Sequence, residues 1–417
     1  MTGNVLVIGG GFSGLTAAIE AAETGYNAFI IEKNPYLGGR VAQLHLYFPK
    51  LCPSTCGLEI NFRRIKENPR IKFYTLAQVE KIVGREGSYQ VSLKVSPRYI
   101  NDNCVGCDAC AQACMAERPN DFNFGMDKTK AAYLPFSQAF PFKYVIDKKY
   151  CDDGCKRKCF EACKYAAIDL DMKPETVELE AGAIVVASGW NLYDIAKAQN
   201  LGFGKVRNVI TNMMMERLAA PSGPTKGRIL RPSDGKEPTN VAFVQCAGSR
   251  DENHLPYCSY ICCMASLKET LYILEQYPDA SVEIFYIDMR TPGTRYEKFY
   301  WSVKEKENVK LTKGKIAKIF QTEGKDDVVV VVEDIFAGKK VEKTFDMVVL
   351  AVGMEPSTRS QRLPLEVTYT SEGLILPESL GPGIYAVGST KSPLDVAKSV
   401  QDATGAALKS IQSLMGR

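Results

Sequence analysis

The stretch Asn4–Lys33, NVLVIGGGFSGLTAAIEAAETGYNAFIIEK, decides the fold. An apolar run leads into a glycine turn, an alanine-rich helical segment follows, and a second apolar run ends on an acid. This pattern predicts strand, turn, helix and strand, with Gly9, Gly11 and Gly14 in the G-x-G-x-x-G positions of a dinucleotide fingerprint. Gly9 allows the tight turn, Gly11 lets backbone approach a pyrophosphate, and Gly14 lets helix pack closely on strand; the helix N-terminus attracts the anion. Glu32 closes the second strand 18 residues after Gly14, placed to accept hydrogen bonds from an adenosine ribose. Glycines serving only a tight turn would not account for that acid. Phe12, Ser13 and Lys33 complete the expected cofactor contacts of this segment.

Composition sets the frame around it. A chain of 417 residues with 45% apolar content predicts roughly three domains. A net charge of +4 gives no reason to expect nucleic acid. The basic run Lys156, Arg157, Lys158 beside Cys155 and Cys159 reads as a solvated face, with docking of an acidic redox partner as the alternative. No apolar run approaches the roughly 18 residues needed to cross a bilayer, and the chain opens on a strand without a signal peptide. The expectation is a soluble cytoplasmic protein with no membrane span of its own. Fourteen cysteines in such a chain are better explained by ligation or redox chemistry than by disulfides. Only two histidines are present, which disfavours histidine-rich metal sites. His45 and His254 are read as structural, with a flavin contact and a contact to the cysteine-bearing loop as their respective alternatives.

Three later segments resemble two-domain FAD enzymes. NPYLGGR (Asn34–Arg40), with Gly39 and Arg40, resembles the extension of the pyrophosphate site. AIVVASGW (Ala183–Trp190), with Ala187 and Gly189, resembles the return strand into the FAD domain, and MVVLAVGMEP (Met347–Pro356) a second such strand. GIYAVGSTKSPLDVAKSVQDATGAAL resembles the closing FAD motif, in which Gly388 precedes a helix aimed at the flavin, although Ser389 stands where aspartate is usual. FAD is the expected cofactor. The fold class is α/β: a two-dinucleotide-binding-domain flavoprotein, with a Rossmann-like FAD domain, a second βαβ domain and an inserted ferredoxin-like α+β domain. Residues 1–98, 166–238 and 346–417 are expected to form the discontinuous FAD domain, 99–165 the iron-sulfur insert, and 239–345 the second domain. Ala220–Glu237, rich in glycine, proline and charge, reads as a connecting loop.

Cysteine spacing carries the rest. Cys104, Cys107, Cys110 and Cys114 follow C-x2-C-x2-C-x3-C, the bacterial ferredoxin run, in which three thiolates hold one cubane and the fourth serves the other. A structural zinc site is the alternative. Cys151, Cys155, Cys159 and Cys163 are spaced more widely. In a ferredoxin fold Cys163 completes the first cluster, while Cys114 joins Cys151, Cys155 and Cys159; packed thiols along a helix face are the alternative. In VQCAGSRDENHLPYCSYICCMASLK a strand (Val241–Gln245) and a helix (Ser259–Glu275) are those of a nucleotide fold, yet the turn lacks a glycine-rich fingerprint and instead carries Cys246, Cys258, Cys262 and Cys263. A thiolate cluster in place of the second nucleotide is the reading, against four buried core thiols.

The segments VGCDACAQAC, NDFNFGMDKTKAAYLPFSQAFPFKYVID, FVQCAGSRDE, YCSYICCMASLKE, EIFYIDMRTPG, YEKFYW and VVLAVGMEPS resemble, in order, the A subunits of heterodisulfide reductases. The resemblance implies a non-classical 4Fe-4S cluster on the last cysteine quartet, two or three 4Fe-4S clusters in all, and Lys268 as a candidate to approach flavin N5. An exposed helical lysine is the alternative. The chain starts at the fingerprint and stops after its last FAD helix, a compact form similar to the A subunit of the quinone-interacting membrane-bound oxidoreductase complex of sulfate reducers. That resemblance implies two partners, a second heterodisulfide reductase A-like flavoprotein subunit together with a haem-bearing membrane subunit. It also implies electron flow between menaquinol and adenylylsulfate reductase, and a position on the inner face of the membrane. Cys52 and Cys56 follow the GGR segment where disulfide reductases carry a redox pair; their spacing is one residue short of the usual pair, and ligand, sulfur-handling and inert roles stay open. The competing functional classes are an NAD(P)H-dependent disulfide or quinone reductase and a mainly structural subunit.

Overall fold

The computed structural model describes residues 3–151, 155, 158–336 and 338–416. The expected start is a strand at Asn4–Ile8, a helix at Phe12–Glu23 and a strand at Asn27–Glu32. The first sheet has five parallel strands in the order Ile384–Ala386, Ala183–Val186, Asn4–Ile8, Asn27–Glu32, Ile71–Thr75. Its central strands are buried on both faces, which is why they read as unbroken apolar runs. The Val396–Leu414 helix packs beside Phe12–Glu23 through small residues, Ala403, Ala406 and Ala407.

The second sheet has seven strands: Val209–Thr211, Met347–Val352, Asn240–Ala247, Ser281–Tyr286, Val309–Gln321, Val328–Asp334 and Lys339–Phe345. The first five run parallel; Val328–Asp334 pairs antiparallel with both its neighbours, so Lys339–Phe345 again runs with the first five. Val209–Thr211 and Met347–Val352 lie outside the 239–345 span read from the sequence, yet both pair in this sheet. Tyr193, Ile195 and Leu201 also pack in its core. The reason is length: three-residue and six-residue apolar strands carry no signal of which sheet they join.

Residues 99–168 form a small unit of paired short elements. Helices Ala109–Ala113 and Lys158–Ala162 accompany two antiparallel ribbons, and a bridge joins Ile100 to Ile168. Cys110 and Cys159 lie in its core with Ile100, Tyr144, Ile146 and Ile168. Lys156 and Arg157 of the basic run lie outside the described residues.

Arg217 ties the three parts together. Its side chain is 2% exposed; Nε donates to Asn123 Oδ1 at 2.8 Å, Nη1 to Gln43 O at 3.5 Å and Nη2 to Ser222 Oγ at 3.0 Å, and the guanidinium sits 4.8 Å from the Phe122 ring. Burial lowers its pKa to about 10, still far above neutrality, so the cation persists and every donor must find an acceptor.

Candidate cofactor cavity and cysteine centres

Two adjoining cavities run through the molecule. The first, about 410 Å³, is lined by Gly9, Gly11, Phe12, Ser13, Glu32, Lys33, Gly39, Arg40, Ala187 and Gly189 of the expected set. The glycines are used as their positions require. A Cβ on Gly14 would meet Gly9 O at 1.9 Å, so only glycine lets this helix sit on its strand; one on Gly11 would meet no atom within 4 Å, leaving backbone open to a ligand. Gly388, at φ +64, approaches Ser13 so closely that a Cβ would lie 2.5 Å from its Oγ, and its N–H donates to Asp402 Oδ2 at 2.7 Å. Buried Ser389 also lines the cavity.

Glu32 is more committed than its ribose role required. Its Oε2 accepts from Gly10 N at 2.7 Å, and Oε1 from Asn34 N at 2.8 Å and Asn34 Nδ2 at 2.7 Å. Burial raises its pKa against those bonds. A carboxylate offers about four acceptor sites, so one remains for a hydroxyl. Arg40 is held over Trp190 by bonds to Trp190 O, Gln43 and Asn191, and makes no ion pair among the described residues. It therefore offers a cation without an anion where the two cavities meet. Glycine backbone, an uncompensated arginine and an acid at the strand end are the donor set a dinucleotide diphosphate fits. Nothing in the local sequence pattern announces that the insert walls this cavity through Arg118, Asn120, Phe122, Tyr133 and Pro135. Those contacts are made across long sequence separations.

The second cavity, about 780 Å³, is mostly apolar, lined by Phe12, Leu46, Phe48, Met213, Ile261 and Met354 among others. Lys268 reaches its floor and is 1% exposed, far from a solvated helical lysine. Its Nζ lies 2.7 Å from Glu216 Oε1 and donates to Leu46 O at 2.7 Å. Cys52 lines the same cavity, whereas Cys56 is exposed. The His45 ring packs edge-on against Tyr272 at 5.1 Å, and its pKa is lowered by burial. His254 Nδ1 pairs with Tyr193 OH at 2.8 Å.

The quartet Cys246, Cys258, Cys262 and Cys263 occupies the turn at the carboxyl end of Asn240–Ala247. The following helix begins at Cys262, not Ser259: Tyr260 sits at φ +67 with its N–H donating to Cys258 Sγ at 3.3 Å, and Ser259 Oγ accepts from Met354 N. Cys246 and Arg250 also have positive φ, at +58° and +54°. Three such non-glycine residues in one loop cost about 1–3 kcal/mol each and persist where surroundings over-determine them, as at functional sites. Arg290 N donates to Cys263 Sγ at 3.4 Å. Burial first, and then the neighbouring thiols, push Cys262 well above its ordinary pKa; burial likewise raises Cys263 to about 11. Such thiols lose their protons only when a cation replaces them. The helix N-terminus under Cys262 and Cys263 favours that exchange.

In the insert, burial raises Cys110 to about 12, with Cys104, Cys159 and Cys107 as its neighbouring thiols. Burial raises Cys151 to about 11, with Cys114, Cys159 and Cys155 beside it. Cys163 Sγ accepts from Ala167 N at 3.3 Å. Among the described residues no three Cys, His or carboxylate side chains stand close enough to share a single ion; a cubane takes its thiolates one per iron, from farther apart.

Comparison with known proteins fits this architecture. The NAD(P)-binding Rossmann-like domain family matches residues 7–72. The chain is 37% identical, over 97% of its length, to the A subunit of the H2:CoB-CoM heterodisulfide,ferredoxin reductase of Methanothermobacter thermautotrophicus, and covers 63% of that protein. It is 38% identical, over 99% of its length, to one of two iron-sulfur A subunits of the CoB-CoM heterodisulfide reductase of Methanopyrus kandleri, and covers 65% of it. The chain thus spans slightly less than two thirds of these relatives. Thioredoxin reductase from Lactococcus lactis matches in fold, with a TM-score of 0.53 and 14% identity over 99% of each chain. Over nearly all of its own length, then, the chain is similar to heterodisulfide reductase A subunits, and its fold is that of a two-domain flavoprotein.

Proposed function

We propose that the chain is an oxidoreductase subunit that carries FAD and two or three 4Fe-4S clusters and passes electrons between them. The observation that carries this reading is one helix. Cys262–Gln276 begins at the cysteine quartet and, six residues later, presents Lys268 to the floor of the second cavity. Six residues advance about 9 Å along a helix, so a cluster and a ring system in that cavity would be close neighbours. FAD would supply two-electron chemistry, the clusters one-electron steps. Gly9, Gly11, Gly14, Glu32 and Arg40 would hold the dinucleotide. Cys104, Cys107, Cys110 and Cys163 would hold one cluster, Cys114, Cys151, Cys155 and Cys159 a second, and the quartet a third.

The wider assignment is that of a cytoplasmic protein held at the inner face of the membrane by its partners. It works with a second heterodisulfide reductase A-like flavoprotein and a haem-bearing membrane subunit, and moves electrons between menaquinol and adenylylsulfate reductase in sulfate respiration. Flavin-based bifurcation or confurcation would couple the two. The relatives favour an alternative set of partners, those of a heterodisulfide reductase, and the names of some include ferredoxin. The shared fold with thioredoxin reductase, together with Cys52 at the cavity, favours a third reading, a stand-alone NAD(P)H-dependent disulfide or quinone reductase.

The test is anaerobic purification with iron, sulfide, zinc and flavin counted per chain. About eight to twelve irons and one FAD are expected. Cys262→Ser with Cys263→Ser should remove about four irons and leave flavin unchanged; full iron content in that variant sinks the ligation. Rapid flavin bleaching by NADH would favour the stand-alone reductase.

A further inference from the structure

Glu269 follows Lys268 on the same helix and is 0% exposed; neither of its carboxyl oxygens has a hydrogen-bond donor, and it lines the second cavity. Its neighbour is another acid. Glu216, on the Asn212–Ala219 helix, is 1% exposed and already supplied: Lys268 Nζ stands 2.7 Å from Oε1, while His45 N donates to Oε2 at 2.8 Å and Tyr272 OH at 3.2 Å. Lys268 spends its remaining reach on Leu46 O. The charged and titratable groups around the pair are Lys268 and Tyr272 on the helix of Glu269, Arg217 and His45 near Glu216, and Cys262 two turns earlier; Lys268 is the cation that acts on Glu269.

An ionised carboxylate buried without a donor is penalised heavily, and a single proton removes the penalty. Two buried carboxyl groups side by side settle into a state with one proton between them. The donors sort the pair, since Glu216 has Lys268 Nζ at 2.7 Å and two hydrogen bonds, whereas Glu269 has no hydrogen-bond donor and feels only the charge of Lys268. Burial and the adjacent Glu216 push the Glu269 carboxyl well above the usual range.

We propose that Glu269 is a neutral carboxylic acid at neutral pH, paired with Glu216, and that it is the proton donor to the ring system reduced in the second cavity. The acid is a property of this chain with or without a cofactor; the donor role rests on the flavin reading above. Were an iron–sulfur donor acting twice to deliver two electrons to the ring, the O–H bond of Glu269 would break, its proton would form an N–H bond on the ring, and the ring would end one negative charge richer; a proton taken up from bulk solvent through the cavity would restore the carboxyl.

Infrared spectroscopy of the full chain, in H2O and D2O, tests the first half. A carbonyl stretch of a protonated carboxyl, shifted down in D2O, is expected at neutral pH, where an ordinary glutamate with a pKa of about 4.3 is ionised. It should persist after flavin removal and vanish in Glu269→Gln. Absence of the band from the wild type, or its survival in Glu269→Gln, overturns the proposal, and the wild-type spectrum at neutral pH decides even if the variant does not fold. For the second half, Glu269→Gln should slow proton-linked flavin reduction by about 10²-fold or more and abolish its solvent isotope effect, with flavin content unchanged. An unaltered rate overturns the donor role. A chain that binds no flavin would sink the flavin reading and leave the infrared result standing.

Discussion

Lys268→Met keeps the length and apolar stem of the side chain and deletes its charge. The side chains of Lys268 and Glu216 are 2% and 1% exposed, so the carboxylate left behind stays in the interior. Removing one partner of a buried pair costs about 3–5 kcal/mol. The bonds Glu216 retains from His45 N and Tyr272 OH place the cost toward the lower end. Unfolding entropy of about 2.1 cal/mol/K per residue gives about 0.9 kcal/mol/K for this chain, so Tm should fall by about 3–6 °C if it melts as one unit. Calorimetry on the wild type, Lys268→Met, Glu216→Gln and the double variant measures this. The double variant should recover most of the loss, because it leaves no unpaired charge. A Lys268→Met Tm within about 1 °C of wild type, or a double variant no better than the worse single one, would refute the buried pair.

Two further outcomes follow from the geometry. Gly14→Ala should disrupt the first turn, its methyl lying 1.9 Å from Gly9 O, whereas Gly11→Ala meets nothing and should melt like wild type while losing flavin on gel filtration; equal behaviour of the two variants would contradict the packing. Because the folded-state pKa of Glu269 is raised above 4.5, its contribution to stability is full below that pH and is lost as pH rises toward the folded value. Glu269→Gln should remove a slope of up to about 1.4 kcal/mol per pH unit in unfolding free energy above roughly pH 5, read from denaturant titrations; parallel curves for the two proteins would contradict the shift.

The parts legible in the sequence are those whose physics is local. The fingerprint around Gly9, Gly11 and Gly14 can be read because a turn, a helix start and a strand end fall within one short segment. Cys262 and Cys263 stand out because an adjacent thiol pair opens a helix where glycines belong. Lys268 is reached only through family likeness, and the same reading passes over Glu269 beside it. Two charged residues on a helix whose other residues from Cys262 to Thr270 are all buried are nevertheless a signal, since buried charge calls for a partner. Glu216 and the insert residues lining the first cavity carry no such sign, because their roles arise from contacts across long stretches of chain. The helix of the quartet starts three residues later than its propensity suggests, because the left-handed turn at Tyr260 obeys the loop.

The buried guanidinium of Arg217 also bears on how the protein is made. The insert supplies Asn123 and Phe122 to it and, through the same segment, a wall of the first cavity. The insert therefore cannot be excised as an independent module. A chain starved of iron during synthesis, were its insert to stay unfolded, would lack that wall of the cavity. Loss of flavin would then be a symptom of failed cluster assembly, appearing in variants whose substitutions lie nowhere near the glycine turn.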